Sequence, residues 1–169
     1  FDDVAVLDGG LVKWKQEGRS VTTETRTYPK GKFNYERRPH LVVNKEEVRA
    51  AIEDDNVVLI NSLSPADFNG ETNTYPRKGH IPTSENVFFG SHSDPATRLL
   101  LDDETLRATF EKIGALDSSK KVITYCGGGI AATWNALLLN KLGQENVAIY
   151  DGSMNEWAAD ATCPLVTKK

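Results

Sequence analysis

Five short apolar runs punctuate the chain. Val57-Val58-Leu59-Ile60 and Val122-Ile123-Thr124-Tyr125 are nearly continuous in β-branched or aromatic residues, the pattern of strands buried on both faces of a parallel sheet. Leu41-Val42-Val43, Asn86-Val87-Phe88-Phe89 and Val147-Ala148-Ile149-Tyr150 read as three more strands. Helical periodicity fills the gaps. Asn44 followed by Glu47 has the form of a capping box, with Val48, Ala51 and Ile52 along one face. Asp102 or Asp103 starts a helix carrying Leu106, Phe110 and Ile113 and closed by Gly114. Ile130, Trp134, Leu137 and Leu138 recur at helical spacing until Gly143, and a last turn of helix surrounds Trp157. Strands alternating with helices predict an α/β fold with a mainly parallel sheet flanked by helices. Ligands of such sheets bind at the carboxyl ends of the strands.

The first residues repeat a later pattern. Val4 to Trp14 can be laid over Val147 to Trp157 without a gap, with identical Val, Ala, Asp, Gly and Trp. Both copies read as a strand, a glycine turn and a short helix that buries a tryptophan. Residues 22–40 hold Thr, Lys, Arg, Tyr and two prolines without sustained periodicity, the signature of an extended linker. Its cations, Arg26, Lys30, Lys32, Arg37 and Arg38, read as a solvated face. The division expected is 1–21, 22–40 and 41–169.

Composition narrows the function. At 169 residues, 39% hydrophobic and 26% charged, the chain can bury a core. Its net charge of −4 argues against nucleic acid or an anionic membrane as the main partner. No apolar run approaches the roughly 20 residues of a membrane span. Two cysteines, Cys126 and Cys163, make no disulfide framework, which favours a reducing, cytoplasmic setting. His40, His80 and His92 lack ligand spacing to each other or to the cysteines, so no metal site is expected.

The chemistry gathers at Cys126. The cysteine stands between the fourth strand and its helix, followed by Gly127, Gly128 and Gly129. Three glycines in one turn let successive amides approach a single anion, and the helix N-terminus adds unpaired N–H groups. A field of that sign favours the thiolate, which is the nucleophile. A buried structural cysteine beside a glycine turn is the plain alternative. A P-loop fits less well, because Ile130-Ala131 stands where its lysine and hydroxyl would be.

Strand, Cys, a loop from Cys126 to Ala131 and then a helix resembles the active-site loop of the rhodanese (sulfurtransferase) family. Gly79-His80-Ile81-Pro82-Thr83-Ser84-Glu85-Asn86-Val87 resembles that family's first signature, Gly-His-Ile-Pro-Gly-Ala-x-Asn-Val. Tyr150-Asp151-Gly152-Ser153-Met154-Asn155-Glu156-Trp157 resembles its closing signature, Asp-Gly-Gly-x-x-x-Trp. The resemblance implies a three-layer rhodanese-like fold and a sulfurtransferase in which Cys126 carries sulfane sulfur as a persulfide. The amides of Gly127, Gly128, Gly129, Ile130, Ala131 and Ala132 would cradle it. It implies a small-molecule sulfur donor, a thiol or cyanide acceptor, and no cofactor. Residues 1–21 then look like the last strand and helix of a preceding rhodanese-like domain, since tandem members usually keep the cysteine in the second domain.

Departures from the family pattern leave the donor open. Thiosulfate-specific relatives tend to carry cations after the cysteine, and mercaptopyruvate-specific ones Gly-Ser-Gly. Here Gly127-Gly128-Gly129 has neither cation nor hydroxyl. Leu63 stands where the family commonly has Arg, and Asp67 where a substrate-binding Arg often precedes Phe. Arg77 and Lys78 are the nearest substitutes for an anion clamp. His80 is expected beneath the loop as packing, and Trp134 in the core. A phosphatase or arsenate reductase on this scaffold would need an Arg where Ala132 stands, and none occurs from Lys121 to Lys141. A rhodanese-fold binding, regulatory or sulfur-relay module with weak turnover is the competing reading.

Overall fold

The computed structural model describes residues 3–167; residues 1 and 2 of the expected segment 1–21, and 168 and 169 of the expected segment 41–169, lie outside them. Five parallel strands form one sheet: β1 (Val42–Val43), β2 (Val57–Asn61), β3 (Glu85–Asn86), β4 (Lys121–Tyr125) and β5 (Val147–Tyr150), in the order β1-β5-β4-β2-β3. The centre is the β2–β4 pair, in register from Val57 opposite Lys121 to Asn61 opposite Tyr125. Period-2 alternation sorts its side chains between two cores. Leu59, Ile123 and Tyr125 face one layer with Val48, Tyr150 and Trp157. Val58, Ile60 and Val122 face the other with Leu106, Phe110, Leu138 and Leu139. Each fully buried Leu, Ile or Phe contributes about 1.5–3 kcal/mol, so the central strands anchor the fold from both sides.

Six helices flank or precede this sheet: α1 (Gly10–Gln16), α2 (Lys45–Ala51), α3 (Pro65–Asn69), α4 (Asp103–Glu111), α5 (Ile130–Lys141) and α6 (Ser153–Trp157). The capping box at α2 is formed: the Glu47 amide donates to Asn44 Oδ1 and the Asn44 amide to Glu47 Oε2, each at 2.9 Å. Asp102, rather than Asp103, caps α4 by accepting from the Thr105 amide at 2.8 Å. The short helix α3 has no apolar periodicity to announce it. Its punctuation was nevertheless present, with Ser64 as N-cap, Pro65 in the first turn and Gly70 in the left-handed conformation that ends it.

Two strand expectations change. The third strand pairs only over Glu85–Asn86, because after Val87 the chain turns into a 3-10 turn at Phe89–His92 and leaves Phe89 exposed. Val4 to Leu7, expected as a strand, carries no strand assignment. Its helix α1 forms, but Trp14 is half-buried rather than buried, with its indole N–H donating to the Ser20 carbonyl at 2.9 Å and Arg19 stacked over the ring. The matching Val147–Trp157 copy has β4 beside it and buries Trp157 completely. A strand needs a partner edge, and local sequence alone does not supply one. The stretch 22–38 is exposed and carries no regular element.

Candidate active site

The turn from β4 into α5 is held open from behind by one side chain. Ser153 Oγ accepts from the amides of Cys126 (3.0 Å) and Gly129 (3.2 Å) and donates to the Tyr150 carbonyl (2.7 Å). Two backbone bonds from α6 complete the attachment: the Met154 amide donates to the Cys126 carbonyl at 3.0 Å and the Asn155 amide to the Gly127 carbonyl at 2.9 Å. Gly129 must be glycine on two counts. Its φ is +75° to +80° territory, at 80°, and a Cβ there would run into Asp151. A Cβ on Gly127 would meet the Tyr75 hydroxyl, and one on Gly128 would lie 2.9 Å from Asn155 Nδ2.

These constraints leave a row of unused donors. Among the described residues, the amides of Gly127, Gly128, Ile130, Ala131 and Ala132 have no protein acceptor. Four of them belong to Gly127, Gly128, Ile130 and Ala131, which line the cleft beside Cys126, and Ala132 follows in the first turn, at the positive end of a 12-residue helix. The amide of Gly129, expected in the same cradle, is engaged by Ser153 instead. Cys126 is only 3% exposed, yet it opens into a cleft of about 730 Å³. Leu63, Thr74, Tyr75, Phe89, Ile130, Ala131, Trp134 and Asn155 supply the walls. Ile130 stands at the rim, 84% exposed.

Among the described residues, no Lys, Arg or His lines this cleft. Arg77 and Lys78, expected as an anion clamp, are not brought to it. The Arg77 guanidinium donates to four backbone carbonyls, those of Trp157 (2.9 Å), Ala158 (3.0 Å), Asp160 (2.5 Å) and Cys163 (2.8 Å), and so ties down the C-terminal segment. Lys78 is exposed on the surface. Leu63 makes the cleft wall apolar where the family commonly places an Arg. Asp67, in the first turn of α3, accepts from the hydroxyls of Ser64, Thr72 and Thr74. Partial burial pushes its carboxyl up, but those three hydroxyls outweigh it and hold the group below the usual carboxylate range.

The histidine of the first signature is packing, as expected. His80 stacks on Phe68 with ring centroids 3.5 Å apart, and its Nδ1–H donates to the Phe68 carbonyl at 2.7 Å. Behind it the Ile81 amide donates to the Tyr125 hydroxyl at 3.1 Å, which donates to Ser84 Oγ at 2.9 Å; burial pushes that phenol up to about 12. Trp134, expected in the core, is half-buried on the cleft wall. Cys163 lies elsewhere, buried against Arg49, whose Nη2 donates to its Sγ at 3.4 Å. Sequence reasoning missed Ser153, Tyr75 and Asn155 as parts of the site. Ser153 had one visible signal, its place in the closing signature where the family has Gly; Tyr75 had none. Among the described residues no group of three or more His, Cys, Asp or Glu could hold a metal, and no helix is long and apolar enough to cross a membrane.

Comparison with known proteins agrees with this geometry. Thiosulfate/3-mercaptopyruvate sulfurtransferase 2 of Arabidopsis thaliana is 37% identical across 98% of this chain and 55% of its own length. The 3-mercaptopyruvate sulfurtransferase of Escherichia coli is 30% identical across 97% of this chain and 58% of its own. The sulfur carrier protein TtuD of Thermus thermophilus is 30% identical across 96% and 61%. The chain thus spans a little over half the length of these curated relatives. In fold it is similar to the anaerobic ergothioneine biosynthesis enzyme of Chlorobium limicola, solved with trimethyl histidine: TM-score 0.83 at 24% identity, across 99% of this chain and 42% of that one. Residues 44–160 match the rhodanese-like domain family, and with the parallel sheet and the glycine loop in place, the chain belongs to it.

Proposed function

We propose that this chain is the catalytic part of a sulfurtransferase, with Cys126 as its sulfur carrier. One observation carries the reading: the cysteine that follows β4 lines a cleft together with Gly127, Gly128, Ile130 and Ala131, whose amides have no acceptor among the described residues. The Cys126 thiolate attacks the outer sulfur of a donor such as thiosulfate or 3-mercaptopyruvate. A new S–S bond forms, the donor's bond to that sulfur breaks, and Cys–S–S⁻ remains. An acceptor thiolate or cyanide then takes the outer sulfur and returns Cys126 as thiolate. The amides of Gly127, Gly128, Ile130, Ala131 and Ala132 bind the anion in both steps. Gly129 contributes its conformation, and Arg77 the hold on the C-terminal segment.

A second reading rests on the cleft wall. Without a side-chain cation, nothing but the loop amides grips a small dianion, which suits a module that relays sulfur between proteins. Steady-state assay separates the two. Thiocyanate formed from cyanide with either donor, and lost in Cys126→Ser, supports the enzyme; a Cys126 that exchanges sulfur only with protein persulfides supports the relay.

For the N-terminal segment we infer the end of a preceding rhodanese-like domain over residues 1–21, joined by a linker over 22–40. The repeat supports it, as does the exposure of Val4, Val6, Leu7, Leu11 and Val12. A longer chain including the upstream sequence would bury these residues and protect their amides from hydrogen exchange.

A further inference from the structure

If Cys126 carries sulfur as a persulfide, the reaction with an organic thiol donor raises a proton problem that the thiosulfate reaction does not. With thiosulfate, the leaving group is sulfite, which departs with its electron pair and needs no proton. With 3-mercaptopyruvate, the bond that breaks is carbon–sulfur, and the carbon leaves as the enolate of pyruvate. That enolate must take up a proton, and the thiol proton of the donor must be handed on. The loop offers no hydroxyl for this purpose, since Gly128 stands at the position of the family's serine.

The cleft walls hold few groups with a proton to move. Among the lining residues, Leu63, Phe89, Ile130, Ala131 and Trp134 carry no transferable proton, and Asn155 is an amide. The Thr74 hydroxyl already donates to Asp67 Oδ1 at 2.8 Å. That leaves Tyr75. Its phenol oxygen stands so close over Gly127 that a Cβ there would collide with it, one residue from the nucleophile. No hydrogen bond engages that hydroxyl among the described residues, although the ring is half-buried. Burial first, then the charge of Asp67 and that of Cys126, push the phenol above its ordinary value. The group therefore keeps its proton at neutral pH, and the nearby thiolate resists its loss.

We propose that Tyr75 is the general acid of this site for donors whose sulfur is bound to carbon. The Tyr75 O–H donates its proton to the departing enolate as the C–S bond breaks and the Cys126–sulfur bond forms, giving pyruvate and a tyrosinate. The tyrosinate then takes the proton that the transferred sulfur brought with it, leaving Cys–S–S⁻ and a neutral phenol. Atoms and charge balance without any further reactant. An enolate is a stronger base than a phenolate, so the phenol can protonate it, and such general-acid transfer accelerates a step by about 100-fold or more. The arrangement also explains why position 127 is glycine: any side chain would displace the phenol from the reacting sulfur.

The test is Tyr75→Phe, which keeps the ring and its packing, assayed with both donors and cyanide as acceptor. With 3-mercaptopyruvate, kcat falls about 100-fold or more while KM stays within about threefold. With thiosulfate the loss is below about fivefold. The wild-type kcat for 3-mercaptopyruvate also declines on the alkaline side as the phenol loses its proton, and the variant lacks that limb. Equal losses with the two donors, or no loss with 3-mercaptopyruvate, would overturn the assignment. A wild-type protein that accepts sulfur from thiosulfate but never from 3-mercaptopyruvate would overturn it too, while leaving the persulfide reading intact. Failure with both donors would remove sulfur transfer from small donors and the role of Tyr75 together.

Discussion

The two cysteines of this chain are both buried, Cys126 at 3% exposure and Cys163 at 1%, yet their surroundings have little in common. Cys126 follows a central strand and lines a cleft with residues of the glycine turn and the first turn of a helix. Cys163 sits in the C-terminal segment, its carbonyl held by Arg77 and its sulfur by an Arg49 N–H. A guanidinium beside a sulfur looks, on paper, like the better activator. The groups beside Cys163 are already engaged: Arg49 Nη2 also donates to the Thr162 carbonyl and hydroxyl, and Arg77 to the carbonyl of Cys163 itself. Burial is common to both cysteines; the unpaired amides beside it and the cleft it lines set Cys126 apart.

Substitutions can break or sharpen this contrast. The largest effect belongs to the cysteines themselves. Cys126→Ser should abolish sulfur transfer to cyanide, whereas Cys163→Ser should retain it to within about twofold. Gly129→Ala comes next, forcing a side chain into the left-handed region and against Asp151. A cost of about 2–4 kcal/mol is expected from the midpoint of denaturant unfolding, together with a loss of activity exceeding about tenfold.

Arg77→Ala addresses the other cysteine's neighbourhood. Four carbonyls lose their donor, so stability should drop by about 2 kcal/mol or more while the KM for donor stays within about twofold. A large rise in KM would instead return Arg77 to the anion clamp that its sequence position suggested. Ser153→Ala should have the smallest effect on stability, about 1–2 kcal/mol, since the Cys126 and Gly129 amides lose their shared acceptor. Crystal structures of the variant would be expected to show the Gly127–Gly129 turn displaced, with β2 and β4 unmoved.

The strands that build the site were legible because burial on both faces writes a continuous apolar run, as in Val57–Ile60 and Val122–Tyr125. The candidate nucleophile was legible because three glycines after a cysteine are costly without a reason. What could not be read is what the fold brings together across sequence distance. Ser153 lies 27 residues from Cys126, and nothing in a lone serine says which amides it will accept. Tyr75 comes from a loop with no periodicity at all. Arg77 misled in the opposite sense: its nearness to Gly79-His80 suggested the site, but its planar fork matched a cluster of backbone carbonyls better than an open cleft. The Val4–Leu7 segment shows the same limit, since its pattern matches Val147–Tyr150 and only the latter has a neighbouring edge to pair with.

The most direct test of the central claim is the intact mass of the protein after exposure to thiosulfate and, separately, to 3-mercaptopyruvate, followed by cyanide. A gain of one sulfur on Cys126 that cyanide removes, present in Cys163→Ser and absent in Cys126→Ser, is the expected result. No gain in the wild-type protein with either donor, or a gain that survives in Cys126→Ser, would contradict the assignment of Cys126 as the sulfur carrier.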